Sequence, residues 1–322
     1  MNLIIIIYSV FSLLFLYLFS KISYKFNLVD LPKERKIHLE ATAYTGGIII
    51  SIILLCAIQF FNFADQNLNS IIYVAFLIAI VGFVDDRYNL NVVNKLSLQV
   101  IPILYLVIFK ELALNQIGDY EYFKLELGIF SIPFTFLCIL FLINSFNYFD
   151  GLDGTLSFTS ISALAILFFL IPEKDYQLFI IMVIIPLFIF LLFNFSFLNL
   201  PKLFLGDGGS LLLGFIISFL LIYASKQDYL HPILIGWSVV VFVYEFLSIN
   251  IIRLKDGKNP LRAGQDHLHH IFFKNTKSIF LTNFLISILN IFLFMVGYLS
   301  FLLINPIASF TLFIFLFLIF LI

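Results

Sequence analysis

Long apolar runs follow one another from end to end of the chain, separated by short polar stretches. A helix needs roughly 17 to 25 residues to cross a bilayer. On that measure the pattern predicts eleven spans: 3–20, 46–63, 68–84, 96–110, 131–146, 156–171, 177–193, 209–224, 231–251, 279–303 and 305–322. Strands of a membrane barrel would alternate apolar and polar residues over about ten positions. These runs do not alternate, and in lipid only helices and closed barrels satisfy every backbone group. The expected fold class is therefore an all-α polytopic integral membrane protein, with 1–322 as a single transmembrane domain. The split between the last two spans rests on the turn signal Asn305-Pro306. The segment 111–130 is the one long stretch between spans outside the polar clusters below, and YEYFKLELGIF alternates as a short hairpin would.

Composition agrees. The chain is 62% hydrophobic and 11% charged, with a mean hydropathy of +1.10, far from a soluble domain. Cys56 and Cys138 both lie in apolar runs, where a thiol behaves as a small hydrophobe, so neither a disulfide framework nor a cysteine metal site is expected. The net charge of -1, without a basic cluster interleaved with aromatics, gives no reason to expect nucleic acid as a partner. MNLIIIIYSV lacks the basic region that opens a cleaved leader and is expected to remain as the first span.

Charge then orients the spans. With the N-terminus outside, the inward loops collect all of the 18 basic residues except Lys110, Lys124, Lys174 and Lys226, as the positive-inside rule requires. The same parity sends ERKIH (34–38), VDDR (84–87), NSFNYFDGLDG (144–154), FLGDGGS (204–210) and DHLHH (266–270) to the cytosolic side. Five polar elements far apart in sequence are thus expected to build one site at the ends of several helices.

Each has a plainer reading. Asp85 and Asp86 could be a solvated helix flank, yet two adjacent carboxylates at the hydrocarbon edge are costly and repel unless a cation is near. Mg²⁺ prefers such oxygen ligands. Asn144, Asn147, Asp150 and Asp153 could be a polar turn around Gly151 and Gly154; spacings of three place Asn144, Asn147 and Asp150 on one face if the helix persists that far. Gly206, Asp207, Gly208 and Gly209 precede Ser210, expected as an N-cap, and glycine-exposed amides at a helix start suit an anion. The turn has neither the spacing nor the lysine of a P-loop. DHLHH holds three of the five histidines, and with no cysteine beside them a phosphate pocket fits better than a closed zinc site. Oxygen ligands for Mg²⁺, an anion turn and basic loops at a membrane surface suit phosphoryl transfer from a soluble donor to a lipid acceptor.

The residues also carry a resemblance. RKIHLEATAYTGG, DDRYNL with NKLSLQ, NYFDGLDG, FNFSFLNLPKLFLGDGGS and DHLHH occur in order, and the chain resembles the polyprenyl-phosphate N-acetylhexosamine-1-phosphate transferases. The match runs from Arg35 to about His270. RKIHLEATAYTGG is similar to the branch that uses UDP-GlcNAc and related donors, rather than the branch acting on UDP-MurNAc-pentapeptide. Ala43 stands where that branch commonly has proline, and Gln265 where a basic residue commonly precedes the histidines.

The resemblance implies transfer of N-acetylhexosamine 1-phosphate, GlcNAc-1-phosphate first among them, from a UDP-sugar to undecaprenyl phosphate, with release of UMP. It implies Mg²⁺ as cofactor, with Mn²⁺ a candidate substitute, and a multi-pass protein of the bacterial inner membrane that initiates a cell-envelope polysaccharide such as lipopolysaccharide. The partners are the two substrates and the lipid bilayer, with a homodimer left open. Asp85, Asp86, Asp207, Asn147, Asp150 and Asp153 are the implied catalytic residues, with Asp207 and Asp86 as metal ligands. Lys36, Lys95, Asn194, Phe204, His267, His269 and His270 are the implied substrate contacts. An ion-coupled transporter is the competing class, but it would place carboxylates near the bilayer midplane and often in repeated halves. A zinc hydrolase built on the histidines is a second enzymatic alternative.

Overall fold

In the computed structural model, residues 2–31, 40–63, 65–259 and 267–321 are described. They run in order through α1 (Asn2–Lys25), an antiparallel pair β1 (Val29–Asp30) and β2 (Thr42–Ala43), α2 (Gly46–Phe61), α3 (Gln66–Tyr88) and α4 (Val92–Leu104) with a π turn over Tyr105–Phe109. A hairpin of β3 (Gln116–Asp119) and β4 (Lys124–Glu126) follows, as the alternation in that segment predicts. Then come α5 (Ser131–Phe149), α6 (Thr155–Leu170), α7 (Lys174–Asn194), α8 (Gly206–Lys226), α9 (Pro232–Ser238), α10 (Val240–Lys255), α11 (Leu268–Thr276), α12 (Ile279–Leu303) and α13 (Pro306–Phe320).

Helices stand at all eleven predicted segments, but length and apolarity support fewer crossings. Seven helical segments among the described residues are long and apolar enough to cross a membrane, and an eighth results if α9 and α10 form one span. α2, α6 and α13 are shorter apolar helices. Side chains set many of the ends. Asp65 caps α3 by accepting the N–H groups of Asn67 and Leu68, and Asn305 caps α13 by accepting that of Ala308 at 2.8 Å, with Pro306 as its first residue.

The predicted span 231–251 is not straight. It bends by 76° between α9 and α10. Asn290 of α12 serves the interrupted ladder: its amide donates to Ser238 O at 3.1 Å and its oxygen accepts the N–H of Val241 at 3.4 Å. A break inside an apolar core is stable only when another group takes up the released backbone partners. The apolar pattern that located the segment carries no information about that partner.

The chain divides into two compact units, Met1–Pro102 with Glu173–Ile216, and Ile103–Pro172 with Ile217–Ile322. In the first, α2 and the start of α8 approach so closely that a Cβ on Gly47 would overlap the backbone of Gly209, and one on Gly82 of α3 would overlap that of Asp207. β2 extends this contact: Phe204 donates its N–H to Ala43 O at 2.8 Å, while Gly46 and Gly47 donate to the carbonyls of Phe204 and Leu205. Ala43 is fully buried and supplies its carbonyl to this contact. In the second unit, α6, α9, α10 and α13 pack around α12, with Trp237 fully buried and donating to Ser309 Oγ at 3.0 Å.

Candidate functional site

In the first unit the carboxylates gather around the start of α8. Asn89 takes the left-handed conformation (φ 50°) and closes α3, which leaves Asp85 and Asp86 in that helix's last turn. Asp85 is buried; Oδ1 accepts the N–H of Leu90 at 2.7 Å and Oδ2 pairs with Lys95 Nζ at 2.7 Å. Lys95, in the first turn of α4, also reaches Asp207 Oδ2 at 2.6 Å. One ammonium therefore joins Asp85 to Asp207 across 122 residues of sequence.

Asp86 does something else. Its Oδ1 accepts the N–H of Asp207 at 3.0 Å and its Oδ2 that of Gly208 at 3.2 Å. These are donors that a helix start leaves without intrahelical partners, and a carboxylate there also complements the helix dipole. Asp86 thus serves as a cap supplied from another helix. Ser210, expected as the N-cap, lies inside α8, which begins four residues earlier at Gly206; its hydroxyl donates back to Asp207 O at 3.3 Å. Asn194 is buried and donates to Leu203 O at 2.9 Å, holding the loop before α8. Phe204 contributes mainly backbone bonds, and Lys202 Nζ lies 5.3 Å from its ring centre. Lys36 lies outside the described residues, as does Gln265.

The second unit gathers the other motifs. α5 ends at Phe149, so Asn147 lies in its last turn and Asp150 just past it, off the helical face proposed from spacing. Gly154 (φ 76°) turns the chain into α6. Asn283 of α12 braces this turn, donating to Asp153 O at 2.7 Å and accepting from Thr155 Oγ1 at 2.6 Å. The histidines lie beside it: a Cβ on Gly151 would overlap the imidazole of His269. His267 and His269 are buried, with ring centres 5.3 Å apart and planes within 11°. His270 is half-buried, its ring 4.4 Å from that of His269. Burial, and then the neighbouring His270 and His267, push the His269 pKa down to about 2, so that ring is neutral.

The motifs thus fall into two groups, one in each unit. A family described as Glycosyl transferase family 4 matches residues 68–225. A Bacillus subtilis (strain 168) protein is 30% identical over 258 residues, which is 78% of this chain and 71% of its own length. The chain belongs to glycosyl transferase family 4. Within the family it is also 27% identical to the undecaprenyl-phosphate alpha-N-acetylglucosaminyl 1-phosphate transferase of Yersinia pestis, and 25% to that of Escherichia coli (strain K12). Each match covers 82% of this chain and 74% of the relative. The name of the Bacillus protein gives the same transfer.

A divalent cation fits the first group. Asp85 and Asp207 share one lysine, Asp86 holds the backbone of Asp207, and hard oxygen donors such as these are what Mg²⁺ takes. Of the pair joined by Lys95, Asp207 is the more accessible, 36% exposed against 10% for Asp85. The second group contains a donor set the motifs did not reveal. Glu245 of α10 places an oxygen with nitrogens of His267 and His269 within 4.8 Å of one another. A signal for Glu245 was present: it is an acidic residue inside the apolar run VVVFVYEFLSIN, and ionisable groups in such runs point to function. Asn283 and Asn290, likewise set in an apolar run, had the same weaker signal.

Proposed function

We propose that this glycosyltransferase moves N-acetylglucosamine 1-phosphate from UDP-GlcNAc to undecaprenyl phosphate and releases UMP, on the cytosolic side of a bacterial inner membrane. The observation that carries the reading is the ammonium of Lys95 held between Asp85 and Asp207. Relatives bearing this activity in their names match most of the chain, which supports it. A transporter's carboxylates belong near mid-membrane. Here they occupy the last turn of α3 and the first turn of α8.

In the proposed reaction a phosphate oxygen of the lipid attacks the β-phosphorus of the UDP-sugar. A new P–O bond forms, the bond to the UMP oxygen breaks, and its electron pair leaves with UMP. A phosphate monoester has a second pKa near 6, so the nucleophile is largely ionised at neutral pH and needs little help from a base. The larger task is to hold two anionic phosphates together and stabilise the transferring oxygens. Lys95 supplies positive charge for this. Asp85, paired with Lys95 and buried, holds that lysine in place and has little room to act as a base. Asp207 would hold Mg²⁺, with Asp86 setting the backbone on which Asp207 sits; the ion supplies charge neutralisation at the phosphates when bound. Asn147, Asp150, Asp153 and the three histidines are assigned to the nucleotide-sugar, and Asn194 and Phe204 to shaping the loop that carries Asp207.

The test is transfer of radiolabel from UDP-[³H]GlcNAc to undecaprenyl phosphate by purified protein with Mg²⁺, beside other UDP-N-acetylhexosamines. Label in the lipid fraction is expected, with Asp207→Ala lowering the rate by roughly 10²- to 10³-fold, the range for removing one transition-state charge partner. Absence of transfer from every donor by folded protein overturns the reading.

A further inference from the structure

Glu245 is 3% exposed, and burying a carboxylate is costly unless hydrogen bonds offset it. Its Oε1 lies 3.1 Å from His267 Nδ1 and accepts the N–H of Leu268 at 3.3 Å. Leu268 is the first residue of α11, so this N–H is one of the donors a helix start leaves over. With Glu245 ionised the carboxylate only accepts, which places the proton of this bond on His267 Nδ1. Ring orientation and proton position are then both set, and the Nε2 edge faces away from Glu245.

The neighbours extend the consequence. His267 lies alongside His269, and His269 lies against Gly151, in the turn that carries Asp150 and Asp153. Tyr148 closes another side of His267, with ring centres 6.0 Å apart. A single carboxylate on α10 therefore holds both the first turn of α11 and the ring that opens the histidine run.

We infer that Glu245 is the positioning residue of the histidine cluster, holding His267 by Nδ1 so that its Nε2 edge meets a diphosphate oxygen of the nucleotide-sugar. The inference rests on the transferase reading above for the identity of that ligand, and on the geometry alone for the pairing. The competing reading is a metal held by Glu245, His267 and His269. The Leu268 N–H directed at Oε1, with His267 Nδ1 within 3.1 Å of the same oxygen, favours the hydrogen-bonded arrangement.

The experiment uses the full chain in detergent micelles, labelled with ¹⁵N-histidine. A hydrogen-bonded Nδ1–H resonance is expected in the wild type, lost in Glu245→Ala and kept in Glu245→Gln, whose amide oxygen still accepts. In transfer assays Glu245→Ala raises the KM for UDP-GlcNAc about tenfold, the scale of one hydrogen bond between charged partners, with the KM for undecaprenyl phosphate unchanged. Glu245→Gln restores most of the loss. Three results overturn the inference: no such resonance in folded wild type, an equal rise in both KM values, or one tightly held zinc per chain that Glu245→Gln releases. If Glu245→Ala does not fold, the wild type and Glu245→Gln still decide. A wild type that shows the resonance but transfers from no donor overturns the transferase reading and leaves the pairing standing.

Discussion

At Asp86 both carboxylate oxygens accept backbone N–H groups of α8, whereas Asp207 offers a side chain about one-third exposed and paired with Lys95. The two aspartates should therefore fail differently. Removing the Asp86 carboxylate leaves two amides without acceptors, and an orphaned buried donor costs about 1 to 3 kcal/mol. Asp86→Ala is expected to lower the thermal midpoint in detergent as well as the transfer rate. Asp207→Ala should abolish most transfer while changing stability by no more than about 0.5 kcal/mol, as expected for a change away from packed or capping positions, so its midpoint should stay near that of wild type. Equal midpoints for the two variants would contradict the capping assignment. The sequence displayed both aspartates but could not separate them. Adjacent carboxylates look alike until their oxygens can be traced to particular donors.

Among the elements, the bend between α9 and α10 depends on a residue some fifty positions away. Asn290 donates to Ser238 O and to Ser162 Oγ, and accepts from Val241. Asn290→Ala would leave these groups to find other partners in an apolar interior, with an expected loss of about 1 to 3 kcal/mol. The measurement is the thermal midpoint of the purified protein, and an unchanged value would show that the bend does not need this side chain. The helices themselves were legible, because a run of apolar residues in lipid has little choice but to satisfy its own backbone. The bend was not, because its cause sits on α12. Ser210 shows the same limit at a smaller scale: serine after glycines resembles a cap, yet the cap of α8 comes from α3.

For the whole molecule, orientation is the property most open to test. Counted over eleven crossings, the basic residues are distributed as an N-terminus outside the cytosol requires. In a background carrying Cys56→Ser and Cys138→Ser, Tyr122→Cys in the hairpin should react with a membrane-impermeant maleimide on intact cells. Lys258→Cys beyond α10 should react only after the membrane is opened. Both positions are exposed, so accessibility to reagent is set by the side of the membrane. The reverse pattern would invert the proposed topology. What the sequence determined by itself was everything that depends on composition and order: a helical membrane protein, the placing of its apolar segments, and the motifs of its family. Each of those is a property of contiguous residues. Only the tertiary structure decided the pairings. Lys95 joins Asp85 to Asp207, Asp86 caps a helix it does not belong to, and Glu245 holds His267. Such bonds require atoms within about 3 Å, and residues this distant in sequence reach that separation only once the helices have packed.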